Sequence, residues 1–218
     1  MSEEIRIVSI QVGRPREHPP LEPDQAPWRT GFVKEPVAGP VWLSRTNLAG
    51  DGQADRRVHG GPDKAVNSYP AGHYPGWRAE LALPNLTWGA FAENFTIEGL
   101  DESIACVGDV YGIGAVVVQI SQPRQPCRNV ARRWRLPELP ARMIETDRTG
   151  WYLRVLAEGY VEAGAALRLA ERPHPEWKIG RANDVMYGRD RYPESIAALA
   201  ACPDLSDAWR EALRRRLG

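Results

Sequence analysis

Ile104-Ala105-Cys106-Val107-Gly108-Asp109-Val110-Tyr111-Gly112-Ile113-Gly114-Ala115-Val116-Val117-Val118-Gln119-Ile120-Ser121 is the stretch that decides the fold. Two runs rich in β-branched residues, Ile104–Tyr111 and Ala115–Ser121, flank Gly112-Ile113-Gly114, which has the composition of a hairpin turn. Gln122-Pro123-Arg124-Gln125-Pro126-Cys127-Arg128 follows directly. Two prolines, lacking amide hydrogens, stop the second strand from continuing in a sheet interior. Cys127 is therefore a thiol just beyond a strand end, between Arg124 and Arg128. Guanidinium charge favours thiolate over thiol, and the thiolate is both a nucleophile and a soft-metal ligand. An inert, partly buried cysteine is the alternative at this position.

Working outward, short β-rich runs recur between frequent glycines (20) and prolines (19). Ile5–Val12, Val37–Leu43, Trp151–Leu156, Tyr160–Val161 and Ala166–Leu169 read as strands, with Glu162-Ala163-Gly164 as a turn. Many short strands with glycine turns predict a mainly β barrel or compact sandwich. Helices interrupt them at His73–Ala82 and in two turns between Arg128 and Ile144, broken at Pro137 and Pro140. The texture changes after Arg172-Pro173-His174-Pro175. Glu176–Tyr187, Pro193–Ala201 and Leu205–Leu217 are helix-like, and in the last of these Leu205, Trp209, Leu213 and Leu217 share one face. Ser206 suits the N-cap, Asp207 the first turn and Arg214–Arg216 the last. The expected division is a β domain over residues 1–172 and a helical domain over 173–218.

Lysine plus arginine and aspartate plus glutamate cancel at 28 each, so no global field draws nucleic acid or an anionic membrane to these 218 residues. Any anion site must be local. The acidic start Met1-Ser2-Glu3-Glu4 does not read as a signal peptide, and no apolar run is long enough to span a bilayer. Three scattered cysteines form no disulfide framework, which places the expectation in a reducing cytoplasm.

Three polar clusters carry candidate chemistry. The densest runs from Gly50 to Ala65, where glycines at 50, 52, 60 and 61 let amides turn toward a ligand, and His59 and Lys64 add donors suited to an anion. A plain solvated loop is the competing reading. Asp51, Asp55 and His59 match neither the spacing of an EF-hand loop nor that of a zinc helix. The second cluster, Gly89–Thr96, sets Glu93-Asn94 between aromatics, either to fix a ligand or as a self-bonded turn. The third, Trp28–Lys34, offers Thr30, Arg29 and Lys34 to an anionic group. Cys106 reads as a small core residue, Cys202 as a helix end without basic neighbours, and His73 as a cap or surface group. Arg132-Arg133-Trp134-Arg135 is too short for a nucleic-acid patch in a neutral chain, and no nucleic acid polymer is expected.

Taken in order and spacing, Gly50–Asp55 with Val58–Ala65, Gly89–Asn94, and Ser121–Arg124 with Pro126-Cys127 resemble the MOSC domain, the module named for the C-terminal part of molybdenum-cofactor sulfurase. The nearest likeness is to its YiiM-type bacterial branch, and it runs from about Ile10 to the C-terminal helices. The resemblance implies a MOSC-type β-barrel with inserted helices, plus a small C-terminal three-helix appendage. It implies a molybdopterin-type molybdenum cofactor with Cys127 as metal ligand, or as carrier of sulfur. Thr30, Lys34, His59, Gly60 and Gly61 fall in the expected cofactor pocket, and the motif residues Asp51, Gln53, Lys64, Glu93, Asn94, Ser121 and Arg124 are assigned to the same binding surface. No pyridoxal phosphate is expected.

The branch is associated with reducing N-hydroxylated compounds such as hydroxylaminopurines, a detoxification. His59 is then the candidate catalytic proton donor beside Cys127. A separate flavoprotein reductase is the implied electron donor, since the chain carries no nucleotide fingerprint or iron–sulfur run. Where related sequences can carry Cys-His before Tyr-Pro, this chain has Asn67-Ser68, and no role is carried over there. Two rival functions keep the same residues: a sulfur carrier using a Cys127 persulfide, and a cofactor-binding module without catalysis.

Overall fold

The structure is a computed structural model describing residues 4–19 and 27–218. In chain order its strands are β1 (Arg6–Val12), β2 (Arg16–His18), β3 (Trp28–Thr30), β4 (Glu35–Pro36), β5 (Val41–Leu43), β6 (Val66–Pro70) and β7 (Phe95–Glu98), then β8 (Val110–Ile113), β9 (Val116–Pro123), β10 (Trp151–Ala157), β11 (Gly159–Val161) and β12 (Arg168–Glu171). The helices are α1 (Arg56–His59), α2 (His73–Glu80), α3 (Arg128–Trp134), α4 (Leu139–Glu145), α5 (Ile179–Met186), α6 (Pro193–Ala201) and α7 (Asp207–Arg214). A 3₁₀ turn occupies Pro62–Lys64.

Eight strands form one sheet in the order β12-β8-β9-β10-β6-β7-β1-β4. Every neighbouring pair is antiparallel except β6 and β7, which run parallel and are joined through α2. The sheet curls until the segment before β12 meets the start of β1: Ile7 N donates to Ala165 O at 2.9 Å, Leu167 N to Ile5 O at 2.8 Å and Gly164 N to Ile7 O at 2.7 Å. Closure of this kind pairs edges that would otherwise stay open. The mainly β barrel read from the sequence is what forms.

The hairpin that decided this reading is present but shorter on its first side. Strand β8 begins only at Val110, because Asp109 is fully buried and its carboxylate accepts from Cys106 N at 3.0 Å and pairs with Arg172 at 2.7 Å. That arrangement folds Ile104–Asp109 into turns instead of a strand. The connection is Gly114-Ala115, with Gly114 at φ +60, a backbone that suits glycine. The expected strand Val37–Leu43 is broken too: Gly39, at φ +75, and Pro40 divide β4 from β5. Pro140 does not break a helix; it sits in the first turn of α4, where a missing amide leaves no bond unmade.

One apolar core fills the barrel and continues into the C-terminal helices, from Ile7, Phe95 and Ile120 to Ile179, Leu199 and Trp209. Leu205, Trp209 and Leu213 are buried as their spacing required, whereas Leu217 lies past the end of α7 and is 44% exposed. A second, aromatic core under α2, α3 and α4 gathers Tyr69, Tyr74, Trp77 and Phe91 with Val130 and Met143. Among the described residues no helix is long and apolar enough to cross a membrane.

Candidate functional site

A cavity of about 620 Å³ opens at the end of the barrel where β9 stops and β6, β7 and β10 begin. Its walls come from β3 and the residues after it, the loop through α1, and the start of α3. Cys127 lines it as the N-cap of α3, partly exposed, because Pro123 and Pro126 end the ladder and turn the chain into the helix. The cavity is therefore a consequence of the proline pair that marked the sequence.

Cations dominate the lining: Arg29, Lys34, Lys64, Arg124, Arg128 and Arg132, against one carboxylate, Asp55, among the described residues. Lys34 is neutralised by Asp51, whose side chain is fully buried while that of Lys34 is 6% exposed. Burial pushes the Lys34 ammonium below its ordinary value, and Asp51 draws it back. Arg124 is different. The residue is 3% exposed, its Nη1 is buried with no hydrogen-bond partner, and no carboxylate pairs with it among the described residues. Its charge and a hydrogen bond act on the Tyr152 phenol, which burial pushes up, and the Lys64 ammonium lies 5.8 Å from the centre of the same ring. A buried guanidinium without its counter-charge is costly unless an anion arrives.

His59 closes α1 on the opposite wall. Burial first, then Lys64 and Arg124, hold its imidazole below the usual range, while Asp55 acts weakly the other way. The ring is accordingly neutral at physiological pH in this cationic setting. Asn67 also lines the cavity, donating through Nδ2 to Ala92 O at 3.0 Å, with its Oδ1 buried and unpartnered. One unpartnered donor and one unpartnered acceptor, on residues that line one cationic cavity, fit a ligand that combines a phosphate with amide-like hydrogen-bonding edges. A pterin-bound cofactor has that composition, and Cys127 is the thiol within the same cavity.

Eight of the residues singled out from the sequence line this cavity: Thr30, Lys34, Gln53, His59 and Lys64, with Asn94, Arg124 and Cys127. Five do not. Asp51 lies behind Lys34, accepting also from Gly13 N at 2.8 Å and Asn94 Nδ2 at 2.9 Å, so it fixes the loop rather than meeting a ligand. Glu93 is fully buried, accepting from Gly89 N at 2.6 Å, Phe91 N at 3.2 Å and the Tyr74 hydroxyl. It ties the 89–93 turn together. The Ser121 hydroxyl donates to Asp63 O at 2.5 Å, pinning the 3₁₀ turn to β9. Gly60 and Gly61 shape the turn between α1 and that 3₁₀ turn; Gly61 sits at φ +99.

Asn67 and Tyr152 were missed. Asn67 was visible as a polar residue in place of a family cysteine, but nothing marked its strand. Tyr152 lay hidden inside an ordinary amphipathic strand. Arg132 stacks on Trp28 at 4.7 Å, which joins two clusters that the sequence kept a hundred residues apart.

The fold is a curled, barrel-like sheet with a cationic, thiol-bearing cavity at one end and a helical region packed against it. The chain belongs to the MOSC domain family, which matches residues 55–168, and the YiiM-like 3-alpha helix domain matches residues 177–217. It is 40% identical over 98% of its length to the uncharacterized protein YflK of Bacillus subtilis (strain 168), covering 95% of that protein. It is 36% identical over 86% of its length to a protein named "Reductase" from Gibberella moniliformis, but spans 34% of that longer chain. Among solved structures, YiiM from Geobacillus stearothermophilus superposes with a TM-score of 0.82 at 36% identity, covering 98% of this chain and 100% of that one.

Proposed function

We propose that this protein binds a molybdenum–pterin cofactor and, with electrons from a separate flavoprotein reductase, reduces N-hydroxylated compounds such as hydroxylaminopurines. The observation that carries the reading is the buried Arg124 Nη1, without a partner, in the cavity that Cys127 lines. Membership of the MOSC family and the name of the Gibberella moniliformis relative agree with it.

Overall, R–NHOH takes up two electrons and two protons and leaves as R–NH2 and water. When bound, the cofactor supplies the electron exchange at the N–O bond. The chain's residues do the rest. Arg124, Lys34, Thr30 and Asn67 bind the phosphate and amide edges, and Cys127 supplies the thiolate ligand. Lys64 and Arg128 hold a positive field over the cavity. His59 begins neutral; an anionic occupant offsets the charges of Lys64 and Arg124, raises its affinity for a proton, and lets its ring hand that proton to the departing hydroxyl.

The test is elemental analysis of protein produced in a host that makes the cofactor, beside Cys127→Ala. Stoichiometric molybdenum that the variant loses while staying folded supports the proposal. No molybdenum, with a labile sulfur on Cys127, replaces it with the persulfide carrier. Bound molybdenum that turns over no hydroxylaminopurine with any flavoprotein reductase supplied replaces it with a non-catalytic binding module.

A further inference from the structure

Arg124 stands one residue past the end of β9, at a place where the ladder is thin. Pro123 has no amide to donate, and the last bond holding this end together is Arg124 N to Gly150 O at 3.0 Å. The helical region grips both strands at this point. From α5, Asn183 Nδ2 donates to Thr149 Oγ1 at 3.0 Å, and Thr149 Oγ1 donates to Gly150 O at 3.1 Å, the carbonyl that also receives the Arg124 amide. From the start of α7, Ser206 N donates to Ser121 O at 2.8 Å and Ser206 Oγ to Gln122 Oε1 at 2.8 Å.

All these side chains are buried in an interface otherwise made of Ile179, Val185, Leu199 and Trp209. Adhesion alone needs only the apolar residues. Polar groups buried among them add a geometric demand, since each loses its bond without water to replace it if the helices shift. The grip also reaches the other cavity walls: Ser121, held by Ser206, has Tyr152 O at 3.1 Å and donates to Asp63 beside Lys64.

We infer that Asn183 and Ser206 are positioning residues through which the C-terminal helices fix Arg124 and Tyr152 in the cavity. The inference rests on the reading of Arg124 as the group that receives the ligand's anion. It gives the helical region a part in binding, acting through β9 and β10 and touching no ligand itself.

The experiment uses the full-length, cofactor-free protein and three variants. Asn183→Leu removes one grip. Ser206→Gly removes the side-chain bond of the other, to Gln122, leaving the Ser206 N bond to Ser121 O and most of the N-cap's worth. Ile196→Val, in the buried face of α6, weakens the same helical region without touching either grip. Amide exchange is read over residues 121–124 and 149–152, and affinity for inorganic phosphate by calorimetry. The expected result is faster exchange in both segments and phosphate binding weakened by about three- to tenfold in each grip variant, the scale of one buried hydrogen bond, with neither change in Ile196→Val. Unchanged exchange, or unchanged phosphate affinity despite faster exchange, overturns the inference, and so does an equal loss in Ile196→Val. If the wild-type protein takes up no phosphate, the reading of Arg124 as an anion site fails. The exchange arm then decides the grip alone, which is overturned if residues 121–124 and 149–152 stay protected in both variants.

Discussion

Replacing Arg124 by methionine should stabilise the ligand-free protein and abolish its anion binding. The side chain is a buried cation without a carboxylate partner among the described residues, and its Nη1 has no hydrogen-bond partner. Holding such a charge out of water costs several kcal/mol after relaxation, offset in part by its interaction with the Tyr152 phenol. Methionine keeps the length and the apolar stem, so the packing loss is small. The balance is a gain of about 1–2 kcal/mol. For a chain of this size that raises the unfolding midpoint by roughly 2–8 °C. Calorimetric unfolding of cofactor-free protein reads the first effect, and phosphate titration or molybdenum content the second. Wild-type protein should overtake the variant once ligand is saturating, because binding stabilises only the form that binds. A lower midpoint for ligand-free Arg124→Met, with phosphate affinity intact, refutes the argument that this charge is held for a ligand.

Lys34→Met leaves the buried Asp51 carboxylate without its cation and should lower stability by about 3 kcal/mol in urea unfolding, with part of the loss restored in Lys34→Met/Asp51→Asn, which removes the charge and keeps an acceptor for Gly13 N. His59 has a folded-state pKa below 6.5, so the unfolded chain binds more protons between those two values. Stability contributed by this group should therefore rise with pH up to about 6.5 and be flat above it, and His59→Asn should remove that slope in denaturation midpoints taken from pH 5 to 8. Gly31→Ala would set a Cβ against the carbonyls of Gly52 and Gly13, forcing the wall after β3 away from the loop at 52. It should cost about 1–3 kcal/mol and widen the cavity, read as weaker phosphate binding alongside the lower midpoint.

What the sequence disclosed follows from how each element is stabilised. Strand β9 carries a run of β-branched residues, β10 buries Trp151, Leu153 and Val155 on one face, and α7 carries its apolar face every four residues, so local pattern and final burial agree. Strand β6 is Val-Asn-Ser-Tyr-Pro, fully buried between β7 and β10, and no periodicity announces it. The 92–94 turn answers Asn67: Asn94 Oδ1 accepts from its backbone N at 3.1 Å and Ala92 O from its Nδ2. Those partners lie 25 or more residues away, so the pairing is invisible to any local reading. The site divides the same way. Cys127, His59, Lys64 and Arg124 stood out because glycines and prolines flank them, whereas Glu93 and Ser121 drew attention for the same reason and turn out to hold backbone in place.

The chain's zero net charge hides how its carboxylates are placed. Three acids around the cavity already have cations of their own: Asp51 holds Lys34, Asp55 sits against Arg57, and Asp63 pairs with Arg154 at 2.8 Å. Those pairings tie loops to strands, and they leave the charge of Arg124 uncompensated in the cavity that Cys127 lines. Had any of these acids faced Arg124 instead, the guanidinium would be satisfied and the cavity would have no electrostatic reason to take an anion. Stability in this part of the fold is therefore lower than the residues would allow if re-paired, and the deficit sits at the position where a ligand can relieve it. The pairing pattern, more than the number of cations, is what makes the cavity a binding site.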